Sequence, residues 1–70
     1  MIECPRCNGQ GYIYKGKIEQ DITLYICDEC DACWEINSEI TYSNFQDLTT
    51  YLMQRGIIYD QEKIEDLGYL

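Results

Sequence analysis

Five cysteines in 70 residues carry whatever chemistry this chain can do. Cys4-Pro5-Arg6-Cys7 and Cys27-Asp28-Glu29-Cys30 are both C-x-x-C pairs, with nineteen residues between Cys7 and Cys27. Two thiolates three positions apart on a tight turn can reach one ion, and a second such turn completes four-coordination. The doubled pair therefore predicts a tetrahedral Cys4 site holding one structural zinc ion. Four thiolates leave no open position for water or substrate. Histidine, the commonest general base, is absent. No phosphate-binding glycine loop, nucleophile elbow or paired-acid constellation stands out either. The expectation is a protein that is not an enzyme.

Five cysteines compete for four places, because Cys30 and Cys33 form a third, overlapping C-x-x-C. In metal knuckles of this kind the residue after the second cysteine tends to need positive φ, which Asn and Asp tolerate far better than a bulky aromatic. Asn8 follows Cys7 and Asp31 follows Cys30, whereas Trp34 follows Cys33. The favoured ligands are Cys4, Cys7, Cys27 and Cys30, with Cys33 packed as a small apolar side chain. Cys33 remains the competitor for the place of Cys27 or Cys30. A redox dithiol is disfavoured, since Asp28, Glu29 and Asp31 would raise a neighbouring thiol's pKa. Iron in a rubredoxin-like site is a weaker competitor to zinc, because Cys4 coordination alone does not separate the metals.

The elements that must position these cysteines follow from periodicity. Residues 12–18 read as a strand, and 22–27 as its partner, with Ile22, Leu24 and Ile26 alternating against Thr23, Tyr25 and Cys27. Residues 19–21 make the turn, and 33–36 a third short strand with Trp34 or Ile36 packed on the sheet. Asn44 can cap a helix whose face is Phe45, Leu48, Thr49 and Leu52, running to about Arg55 and stopped by Gly56. Asp60 would cap a second helix with Ile64 and Leu67 facing inward and Gly68 at its end. The predicted class is α+β: a small three-stranded antiparallel zinc ribbon over residues 1–40, followed by a C-terminal helical hairpin over 41–70 packed on it, in a single domain of residues 1–70. Seventy residues lie near the lower limit for a self-sufficient core, so a metal staple is expected.

Charge narrows the partners. The net charge is −8, unevenly spread. Residues 1–18 carry Arg6, Lys15 and Lys17 against Glu3, net +2, whereas residues 19–70 carry twelve acids against Arg55 and Lys63, net −10. Such a surface repels phosphate backbones and favours a basic protein partner. No basic n-region, signal-length apolar run or membrane span is apparent, so the expectation is a cytoplasmic protein with reduced thiols and no membrane partner.

Residues 1–36 resemble a zinc ribbon. Cys4-Pro5-Arg6-Cys7-Asn8-Gly9-Gln10-Gly11 is similar to the C-x-x-C-x-G-x-G repeat in the zinc-binding region of J-domain chaperones, which implies a metal role for Cys4 and Cys7. The second knuckle departs from that repeat, because Cys27 to Ala32 contains no glycine, and no J domain accompanies it. The whole chain, with Tyr25 to Asp31 running into Trp34, then Phe45 to Leu52 and a terminal Leu67-Gly68-Tyr69, resembles small bacterial proteins encoded beside polymorphic toxins. That resemblance implies an immunity or antitoxin-like protein: a zinc-stabilised acidic protein–protein interaction module that masks a basic partner such as a nuclease toxin. The seven tyrosines suit either an interface or the core. The alternative is a nucleic-acid or transcription accessory ribbon using Arg6, Lys15 and Lys17, with Tyr12 and Tyr14 as stacking platforms.

Overall fold

In the computed structural model, which describes Met1–Leu70, the alternating runs form a hairpin. Strands β1 (Ile13–Glu19) and β2 (Ile22–Cys27) pair antiparallel, from Ile13 opposite Cys27 to Glu19 opposite Ile22, around Gln20 and Asp21. Strand β3 (Ala32–Glu35) adds to β2, the two-residue β4 (Gln46–Asp47) adds to β3, and β5 (Glu65–Tyr69) adds to the other edge of β1. The result is one five-stranded sheet in the order β4-β3-β2-β1-β5, antiparallel throughout.

Alternation along the strands sends side chains to both faces, and each face carries a small core. On one, Leu24, Ile26 and Cys33 meet Leu48, Tyr51 and Leu52 of the single α-helix, α1 (Leu48–Met53). On the other, Ile13, Cys27, Ala32 and Trp34 gather with Cys4, and Ile40 and Phe45 of the following loop pack over them. Two half-sized cores joined through a sheet leave neither face with a deep interior. The second core is partly built from cysteines of the two knuckles.

The expected helical hairpin does not form, and the α+β class with a three-stranded ribbon is corrected to a mostly β chain. Helix α1 starts later than the Asn44 cap predicts, because the Asn44 side chain is engaged elsewhere. Its Oδ1 accepts from Trp34 Nε1 at 2.9 Å and from Thr41 N at 3.2 Å, while its Nδ2 donates to the Glu39 carbonyl at 2.8 Å. Gln46 and Asp47 are drawn into the sheet, and Asp47 caps the helix instead, accepting from Thr50 N at 3.2 Å. Gly56 stops it as predicted: φ is +73°, with Gly56 N donating to the Met53 carbonyl and Ile57 N to that of Leu52, the paired bonds of a Schellman motif.

The second helix is replaced outright. Asp60 caps only a 3-10 turn, Gln61–Lys63, after which the chain extends as β5 along β1. A short helix must meet the cost of its own nucleation, whereas β1 offered an unpaired edge ready to be bonded. Gly16 on β1 makes room for this docking, since Ile64 Cγ2 lies 3.0 Å from where a Cβ would stand at position 16. Leu67, expected to face inward, is exposed. The stretch 12–18 consequently lies in an interior strand of the sheet, paired on both sides.

Candidate metal centre

The hairpin returns Cys27 beside the first knuckle, because Ile13 pairs with Cys27 and Asp28 N donates to the Tyr12 carbonyl at 3.1 Å. The first knuckle is closed by Gly9 N donating to the Cys4 carbonyl at 3.0 Å and Cys4 N to that of Gly11 at 2.9 Å. Asn8 and Asp31, the residues after each second cysteine, have φ of 61° and 60°, the left-handed turn that the sequence pattern calls for. In the second knuckle Glu29 N and Cys30 N both donate to Cys27 Sγ at 3.4 Å, an arrangement that favours a thiolate there.

These turns bring Cys4, Cys7, Cys27 and Cys30 together. Their sulfurs all lie within 4.8 Å of one another, with Cys4 to Cys30 and Cys7 to Cys27 each at 3.7 Å. A tetrahedral ion with metal–sulfur bonds of about 2.3 Å requires sulfur–sulfur edges of about 3.8 Å. Two of the six edges have that length and none exceeds 4.8 Å, so the four sulfurs could hold one metal ion. Cys33 is not among them. It is buried in the core on the opposite face of the sheet, where burial, with Asp47 adding, pushes its thiol up to about 12.

The cage leaves no slack around it. A Cβ at Gly11 would stand 2.6 Å from Cys27 Sγ and 2.9 Å from Glu29 Cβ, so only glycine allows the first knuckle to approach the second this closely. Burial pushes the Cys27 and Cys30 thiols up, against the pull of backbone N–H groups. For Cys7 burial also acts upward, but hydrogen bonds with Cys4, Cys27 and Cys30 outweigh it and hold its thiol below the ordinary value.

Periodicity gave no sign of what the second knuckle does for the rest of the chain. Asp28 accepts from Tyr12 N at 3.0 Å and from Tyr69 Oη at 2.8 Å. Asp31 accepts from Tyr59 Oη at 3.3 Å, and its carbonyl accepts from Leu48 N at the start of α1 at 2.9 Å. Arg6 Nη1 donates to the Cys30 carbonyl at 3.2 Å, and its guanidinium sits 4.7 Å over the Phe45 ring. Strand β5, the 57–60 segment and helix α1 are all tied to the Cys27–Cys30 turn.

No protein-family model matches the chain, and neither a curated protein nor a solved structure is measurably similar to it.

Ligand choice is directly testable. Cys33→Ser is expected to retain a full complement of metal in elemental analysis of the purified protein, whereas Cys30→Ser is expected to lose it. The reverse pattern would move Cys33 into the cage and Cys30 out.

Proposed function

We propose that the caged ion is zinc and that the chain is a zinc-stabilised acidic interaction module that binds and masks a basic protein, in the manner of an immunity or antitoxin protein of the bacterial cytoplasm. Zinc suits four thiolates without redox chemistry, and reducing surroundings keep those thiols available for it. Four sulfurs close the coordination sphere, so the role of the ion is structural. No helix is long and apolar enough to cross a membrane.

One observation carries this reading. Beside the second knuckle lies a surface cleft of about 240 Å³ in which Asp28, Asp31 and Asp66 converge with the rings of Tyr14 and Tyr69, and no basic side chain lines it. The two rings lie 5.9 Å apart. Carboxylates beside aromatic faces suit a lysine or arginine side chain, through charge and cation–π attraction together. Zinc bound by four thiolates leaves about two negative charges at the back of this cleft and deepens the field.

The nucleic-acid alternative has less support. Tyr14 packs with the Leu24 core while its neighbour Lys15 alternates to the other face with Ile13, so ring and cation point to opposite sides of the sheet. Arg6 is already engaged with Cys30 and Phe45.

Affinity capture from the source cells, comparing the native chain with an Asp66→Asn variant, tests the proposal. A basic protein captured by the native chain, held several-fold more weakly by the variant, and released as salt rises is the expected result. Capture of a neutral or acidic protein, or binding indifferent to both salt and Asp66, would end it.

A further inference from the structure

Helix α1 buries Leu48, Tyr51 and Leu52 but leaves Met53 69% exposed, and beyond the Gly56 turn Ile58 stands 90% exposed. Ile57 and Ile58 form a ridge between two clefts. One, of about 630 Å³, is bordered by Met53 and Tyr59. The other, of about 400 Å³, is floored by Ile18, Leu52 and Ile64. An apolar knob beside an apolar hollow, both open to water, is the signature of a surface that is covered in use.

Charge identifies what covers it. The second cleft carries Arg55 and Lys63 against Glu19 and Asp60, two of each sign. The whole net charge of −8 therefore lies elsewhere on the molecule. A basic partner is drawn to the acidic cleft by the knuckle and gains no electrostatic advantage here. A second copy of the chain, itself carrying −8, meets no net repulsion at this locally neutral patch. We propose that the Met53–Ile58 ridge is a self-association surface on which a second copy docks about a two-fold axis. Ile58 of each copy enters the Ile18–Leu52–Ile64 hollow of the other. A two-fold axis makes every contact reciprocal, so Arg55 and Lys63 of each copy can meet Glu19 and Asp60 of the other. The acidic cleft shares Ile64 with this hollow, but none of its three carboxylates lines the hollow.

Salt separates this interaction from capture of a basic protein. Raising ionic strength screens repulsion between two acidic molecules and strengthens self-association, whereas it weakens an acidic–basic contact. Sedimentation velocity of the zinc-loaded chain, from about 10 µM to about 1 mM and from about 50 mM to about 500 mM NaCl, should show a dimer that grows with both variables. Ile58→Asp, at a site too exposed to disturb folding, should weaken the dimer about tenfold or more, with the thermal midpoint and zinc content unchanged. Tyr42→Asp, at an exposed residue beside Phe45 of the other core, should leave it intact. A chain that stays monomeric at the highest concentration and salt overturns the proposal, as does a dimer unaffected by Ile58→Asp. If the chain is monomeric and Ile58→Asp instead weakens capture of a basic protein, the patch belongs to that partner and self-association is refuted. None of these results bears on whether the acidic cleft binds its own target.

Discussion

Stripping the metal with a strong chelator is expected to unfold the protein. Structural zinc in a four-thiolate site supplies on the order of 10 kcal/mol, which is as much as the whole stability of an ordinary domain. Here the dependence is sharpened by where the ligands sit. Cys4 and Cys27 are members of the second core, beside Trp34, and Asp28 and Asp31 in the second knuckle hold Tyr69, Tyr59 and the start of α1. Freeing the knuckle removes the anchors of the C-terminal half as well as the ribbon. The near-ultraviolet signal of Trp34 and the cooperative thermal transition should both disappear on chelation and return with one equivalent of zinc. Protons should act as the chelator does. Burial raises the Cys27 and Cys30 thiols, which favours their protonated forms over the thiolates an ion needs. Metal binding then releases protons, and apparent affinity falls as pH falls. A chelated protein with an unchanged thermal midpoint would show that the cysteines are ordinary core residues.

The two knuckles that cluster Cys4, Cys7, Cys27 and Cys30 were legible from sequence because the turns that shape each of them are local. Two cysteines three residues apart, each pair followed by a residue tolerant of positive φ, specify the knuckles without reference to anything distant. The β1–β2 hairpin was legible for a similar reason, since the alternation of Ile22, Leu24 and Ile26 persists over one strand. The C-terminal half failed where two local answers were nearly equal and a distant partner decided. Asn44 is an acceptable helix cap, but the Trp34 indole ten residues earlier claims its oxygen. Ile64 and Leu67 have helical spacing, but the free edge of β1, some fifty residues back in the chain, takes residues 65–69 as a strand. The Tyr69–Asp28 bond spans 41 residues and leaves no trace in periodicity at all. Metal identity was not legible either, since zinc and iron accept the same four sulfurs.

Trp34 is the residue on which the second core and its covering loop converge, and its truncation should cost a large part of the chain's stability. The side chain is 1% exposed, packed among Ile13, Ala32 and the site cysteines. Its Nε1 donates both to the Thr41 carbonyl at 3.0 Å and to Asn44 Oδ1 at 2.9 Å. Through Asn44 the indole also fixes Thr41 N and the Glu39 carbonyl. Trp34→Ala would open a cavity under the loop and release it, at a cost of roughly 3–5 kcal/mol, in a chain with little stability beyond that to lose. Trp34→Phe separates the two contributions. It keeps much of the apolar volume but removes the donor, and the loss should be about 1–2 kcal/mol. Urea denaturation of the zinc-loaded proteins measures both. The Ala midpoint should fall well below the Phe midpoint, and Phe below the native chain. The knuckles close through their own backbone bonds, so at saturating zinc the Phe variant should still bind one ion per chain. Equal midpoints for the native and Ala proteins would mean that the loop, not the indole, holds the core shut.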